Sequence, residues 1–92
     1  MNVKILMLKS NEDVISEVDY TKYDSGYILK NPYCIFYNDH TFSNVMMYRY
    51  APFAKDNTLC IDPDWVISEV EPNDQILNAY LEAVNGKTDS SN

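Results

Sequence analysis

The stretch TLCIDPDWVISEV, Thr58 to Val70, holds two short β-branched runs around a tight connector. The first run, Leu59-Cys60-Ile61, is too short for a helix, and Pro63 in the connector Asp62-Pro63-Asp64-Trp65 would break one. In the second run Val66, Ser68 and Val70 alternate with Ile67 and Glu69. That period of two marks a strand at a sheet edge or barrel seam. The segments upstream read as strands that could close on this pair, and the one good helical pattern follows it. The expected class is mainly β with a C-terminal helix.

Working upstream, Val3–Leu8 is an apolar run without a capping residue, and it reads as a first strand ended by the polar turn Lys9–Glu12. Val14–Tyr20 alternates Val14, Ser16, Val18 and Tyr20 against Ile15, Glu17 and Asp19, a half-buried second strand. Lys22–Gly26 is a turn in which Asp24-Ser25-Gly26 supplies the tight geometry. Strand resumes at Tyr27–Lys30, is interrupted by Asn31-Pro32 and continues through Tyr33–Tyr37. Pro32 has no N–H for a ladder, so a bend or bulge of the kind that curls small barrels is expected there. Asn38–Ser43 is a polar hairpin loop carrying the only histidine, His40. Asn44–Ala51 is the return strand, ended by Pro52, and Phe53–Asn57 is a short loop.

Downstream of Pro72 the period changes. Ile76, Leu77, Tyr80, Leu81 and Val84 form one apolar stripe on a helix expected over 73–85. Asn73 or Asp74 can cap its start, and Gly86 stands where a stop belongs. Lys87–Asn92 reads as a polar, disordered tail. Residues 1–86 therefore read as a single domain.

Ninety-two residues leave room for one core, and a hydrophobic content of 46% is that of a folded chain. Eight Tyr and three Phe favour strands and an interface that hides some of the rings. The net charge of −7, with six Lys and one Arg, argues against a protein built chiefly to hold nucleic acid, though it leaves room for a local basic patch. Cys34 and Cys60 form no CxxC, and Met1-Asn2-Val3-Lys4 lacks a signal peptide's apolar stretch. Both cysteines read as reduced core residues in an intracellular, cytoplasmic protein. No apolar run approaches the ~20 residues that span a bilayer.

With the strands placed as five bent antiparallel strands, two stretches resemble the Sm-like (LSm, Hfq-like) small barrel. LKSNEDVISEV, Leu8–Val18, resembles the first Sm motif's leucine, polar turn and apolar strand. Ile61-Asp62-Pro63-Asp64-Trp65-Val66 resembles the second motif's isoleucine, short turn and closing strand. Together with YILKNP, APFAKDNTLCI and VEPND, these make residues 3–84 similar to the small Sm-like proteins of cyanophages and marine phages. The resemblance implies a strongly bent, SH3-like five-stranded barrel in a homo-oligomeric ring of about five to seven subunits, joined edge strand to edge strand. The interface strands would then carry Val45, Met47, Leu59, Ile61, Val66, Ile67 and Val70. It also implies single-stranded RNA at the pore, and for a phage protein a place in the host cytoplasm.

Several positions depart from the family's RNA-binding pattern. Asp62-Pro63 stands in place of Arg-Gly, reversing the charge. Tyr23–Ile28 keeps an acid at Asp24 but puts Ile28 where a base-contacting Asn is expected. Ser16 replaces the glycine of the bent second strand, and the helix is C-terminal rather than N-terminal.

Other chemistry is weaker. His40, Asp39 and Cys34 lack a positioned nucleophile and oxyanion glycines, so a solvated loop histidine is the favoured reading. Asp62, Asp64 and Asp56 resemble a divalent-ion site but lack the glycine and distal Glu of an EF-hand, and read as turn carboxylates. No P-loop, GxSxG, HExxH or dinucleotide fingerprint occurs, so neither an enzyme nor a cofactor nor a metal is expected. The best binding candidates are Tyr48, Arg49, Tyr50, Phe53 and Lys55, which join the only Arg and a Lys to rings that can stack bases. The competing reading turns alternate rings to the core and pairs the cations with nearby acids. The expected function is a ring that binds single-stranded RNA to modulate transcripts; the alternative is an acidic scaffold or adaptor ring that binds proteins and no nucleic acid.

Overall fold

A computed structural model describes residues 2–20, 26–37 and 45–86 of the chain. Six strands and one helix follow in order: β1 (Val3–Leu8), β2 (Asp13–Tyr20), β3 (Tyr27–Tyr37), β4 (Val45–Arg49), β5 (Thr58–Ile61), β6 (Val66–Val70) and α1 (Asp74–Val84). A single 3₁₀ turn, Pro63–Trp65, separates β5 from β6. All pairings are antiparallel, in the order β4-β3-β2-β1-β6, with β5 also alongside β3. The protein is mainly β with one C-terminal helix.

The long strand β3 sets the layout. Its first part, Tyr27–Lys30, pairs with β5, and Tyr33–Tyr37 pairs with β4. Thus β4 and β5 lie end to end along one side of β3, and the described strands number six where five were expected. No ladder joins β6 to β4 or β5, so the sheet is open and not the closed barrel expected. The two runs flanking Asp62–Trp65 do not pair with each other: β5 joins β3, while β6 joins β1. The connector explains the parting. Pro63 starts the 3₁₀ turn, and the Asp62 carboxylate caps it by accepting from Asp64 N at 2.8 Å.

The bend expected at Asn31-Pro32 is present. Asn31 takes a positive φ of 55°, and the β2–β3 register slips between Ile15 and Glu17. Pro32 cannot donate, yet its carbonyl accepts from Tyr50 N at 2.9 Å, and Asn31 N donates to Asn57 O at 2.7 Å. The buried Ser16 hydroxyl fits this kink, 2.9 Å from the carbonyls of both Lys30 and Glu17.

One face of the sheet holds the core of Leu6, Leu8, Val14, Val18, Leu29 and Cys34, flanked by Tyr27, Tyr50, Leu59, Ile61 and Val66. Each such large apolar side chain contributes about 1.5–3 kcal/mol on burial. By strand alternation Ile15 and Tyr33, paired in register, point to the other face, where α1 lies. Tyr80 is the one fully buried side chain of α1 and meets the Tyr33 ring edge-on at 5.9 Å. Asn73 caps the helix through Ile76 N at 2.9 Å, and Asn85 and Gly86 (φ 65°) end it, so the helix body is one residue shorter at each end than expected. Among the described residues no helix is long and apolar enough to cross a membrane. The turn over 22–25, the His40 loop and the 87–92 tail lie outside the described residues.

Candidate functional site

The candidate surface is built on β4 and the segment 50–57 that follows it. Among the described residues, strand β4 is hydrogen-bonded on its β3 side alone, and no described strand pairs with its outer backbone edge. The pairs Cys34 with Tyr48 and Phe36 with Met46 put Tyr48, Met46 and Phe36 on the core's face, past the end of the core. All three are exposed, and the Phe36 and Tyr48 rings meet edge to face at 5.3 Å. They form a small apolar platform at the sheet's end.

The five residues singled out from the sequence separate. Tyr48 belongs to the platform. Tyr50, two residues on, is half-buried and packs against the core, and burial, with the Glu12 charge second, pushes its phenol above the ordinary value. Tyr50 is therefore not offered for base stacking. Arg49 faces the opposite side, across from Tyr33, and its guanidinium donates to the Asn57 side chain. It borders a cavity of about 20 Å³, together with Asn31, Tyr33 and Asp56. Such a space holds about one water. Phe53 is 99% exposed, and Lys55 is exposed nearby in sequence. The alternation that turned Tyr50 inward was legible in the sequence; which ring it would take was not.

At the sheet's other end strand β6 pairs with β1 alone among the described residues, and Trp65, Ile67 and Val70 are exposed beside it. Of the residues expected in subunit contacts, Ile67 and Val70 are free to serve, and Val45 and Met47 are half-buried on β4. Leu59, Ile61 and Val66 are half-buried and pack against the core of their own chain.

Two polar arrangements escaped the sequence reading because their members come from distant strands. Tyr20 donates to Glu69 at 2.7 Å and Tyr27 to the same carboxylate at 3.3 Å, tying β2 and β3 to β6. The Tyr80 hydroxyl accepts from Glu17 N at 3.1 Å and reaches the Asn31 carbonyl at 2.9 Å, fastening α1 over the β3 bend. Burial pushes that phenol up to about 12.

The cysteines are free, Cys34 buried as expected but Cys60 exposed on β5. Burial first and the Glu12 carboxylate second push the Cys34 thiol up to about 11, so it is neutral at physiological pH and a poor nucleophile. Asp39 and His40, weighed with it from the sequence, lie outside the described residues. Asp62 is engaged as a cap, while Asp56 lines the Arg49 cavity. Among the described residues no three His, Cys, Asp or Glu gather as a metal site.

Fold and surface together define a small acidic β protein with one helix on its sheet and two open strand edges. The chain belongs to a family described as "Family of unknown function (DUF6561)", whose model matches residues 1–85. No curated protein matches the chain.

Proposed function

We propose that this chain is a non-enzymatic, Sm-like subunit that assembles edge to edge into a ring and works as a scaffold for protein partners. The observation that carries the reading is the pair of open edges. Among the described residues, β4 and β6 each have a backbone side that no strand pairs, with Met46, Tyr48, Ile67 and Val70 exposed along them. Open apolar edges are hazards that proteins cover, and pairing β4 of one copy with β6 of the next covers both at once. The topology supports the Sm-like part. Read as one interrupted strand, β4 and β5 follow the bent β3, and a 3₁₀ turn precedes the last strand, which returns to β1. The charge of −7 per chain favours protein partners over nucleic acid.

Sedimentation of the wild type against Ile67→Lys and Tyr48→Lys tests this. The expected result is a multimer for the wild type and lighter species for each variant. Monomers throughout, or variants that assemble unchanged, would sink the reading.

One observation favours a second reading, in which the ring also holds single-stranded RNA: Phe53 and Lys55 stand exposed in the segment that follows Arg49. Oligo-U and oligo-A titrations at about 50 mM salt decide it, since phosphate contacts are strongest at low salt. Micromolar binding that Arg49→Ala weakens would favour RNA, and no binding to either would remove it.

A further inference from the structure

Two grooves meet over the start of β2 and the end of β3. The larger, about 350 Å³, runs on the helix face between the first turn of α1 and the sheet, with Ile5, Met7, Ile35, Val45 and Ile76 supplying its apolar wall. The second, about 220 Å³, lies across the rim against Glu12, Cys34 and Phe36. Asp13, Ile35 and Tyr37 line both, so the two are one continuous surface.

The charge along this surface is one-sided. Asp13 sits half-buried at the saddle, and burial raises its carboxyl above the ordinary value. Among the described residues the one ion pair is Lys4 with Glu71, so none compensates Asp13. Glu12 is held by the Ser10 hydroxyl at 2.8 Å, a neutral partner. No Lys or Arg among the described residues lines either groove.

We propose that this double groove docks a basic amphipathic segment of another protein. A large aliphatic or aromatic side chain of the segment seats against Met7, Ile35 and Ile76. A Lys or Arg beside it meets Asp13 and Glu12, with the exposed Phe36 ring placed to take a cation on its face. Charge complementarity selects this occupant. An acidic or neutral segment would bury Asp13 further without a counter-charge, which costs binding free energy. The scaffold reading places a second copy of this chain at the β4 and β6 edges, and a nucleic-acid backbone would be repelled by the acidic groove. The inference rests on the protein-binding half of the scaffold reading and names the partner's chemistry. It needs no ring, because a single chain supplies the whole groove.

The test uses a labelled dodecapeptide of alternating Lys and Leu around one Trp, and a counterpart with Glu for every Lys. Each is titrated against the full chain by fluorescence anisotropy, with amide shifts mapped by NMR. The Lys peptide is expected to bind at least about tenfold more tightly than the Glu peptide, and Asp13→Lys to weaken it by about fivefold or more. Shifts should centre on Met7, Ile35 and Ile76. Met7→Ser, which removes part of the apolar wall without adding charge, should weaken binding as a second variant, with circular dichroism confirming that both variants fold. Equal binding of the two peptides, no binding, an unaffected Asp13→Lys, or shifts centred elsewhere would overturn the proposal. So would oligo-U displacing the peptide from those residues. Light scattering on the same samples separates the two readings: a monomer that binds keeps the groove and removes the ring, and a multimer that ignores the peptide does the reverse.

Discussion

Tyr80 carries more of the structure than any other single side chain of α1. Its ring packs on Tyr33, and its hydroxyl satisfies Glu17 N and the Asn31 carbonyl at the point where β3 bends. Tyr80→Phe keeps the ring and strands those polar groups, so it should cost about 1–3 kcal/mol. The readout is a lower urea midpoint with an unchanged slope. Two buried acids contribute to the loss of stability at alkaline pH. The Cys34 thiol rises from 9.0 to about 11 and the Tyr80 phenol from 10.0 to about 12. Because each folded-state pKa is raised, its contribution is fully present below the unfolded value and is lost as pH climbs to the folded one. Unfolding midpoints should therefore fall from about pH 9 to pH 12, and Cys34→Ala should flatten the first part of that fall. Asp13 has the same sign in the acid range, so Asp13→Asn should leave the protein equally or more stable at neutral pH. In native protein iodoacetamide should label the exposed Cys60 and spare Cys34, as peptide mass mapping would show.

At the scale of elements, the local patterns are legible and the long-range pairings are not. Val3–Leu8 has the limits its apolar run implies and Val66–Val70 those its alternation implies, and Pro32 marks the bend in β3. Nothing in the β5 and β6 runs states that they join opposite sides of the sheet, because partner choice depends on where β3 turns. The same limit applies to the surface. The sequence picks Tyr48, Arg49, Tyr50, Phe53 and Lys55 as neighbours in the chain, but alternation along β4 sends Arg49 and Tyr48 to opposite faces and Tyr50 to the core. The Tyr20–Glu69–Tyr27 cluster was hidden for the opposite reason, since its members meet only after three strands come together. The helix cap is local and was readable. Asn73→Ala should cost about 1 kcal/mol by freeing Ile76 N, seen as a lower melting temperature. Asn31→Ala should cost about 1–2 kcal/mol, since the residue must hold a left-handed conformation, while Asn31→Gly should not.

For the whole molecule, the open sheet and the acidity make one testable account. Among the described residues no strand pairs with the outer sides of β4 and β6, and the proposed ring of copies would cover both. Each subunit would add −7, so the assembled particle would be strongly acidic, suited to basic protein segments and poorly suited to phosphate backbones. The most direct measurement is the light-scattering mass of the purified protein, with the 260/280 absorbance ratio read across the same peak. A ring of acidic copies gives a mass several times 10.7 kDa with a protein-like ratio. A multimer with a nucleic-acid-like ratio would keep the ring and replace the protein partner with RNA. A clean 10.7 kDa monomer would contradict the central claim.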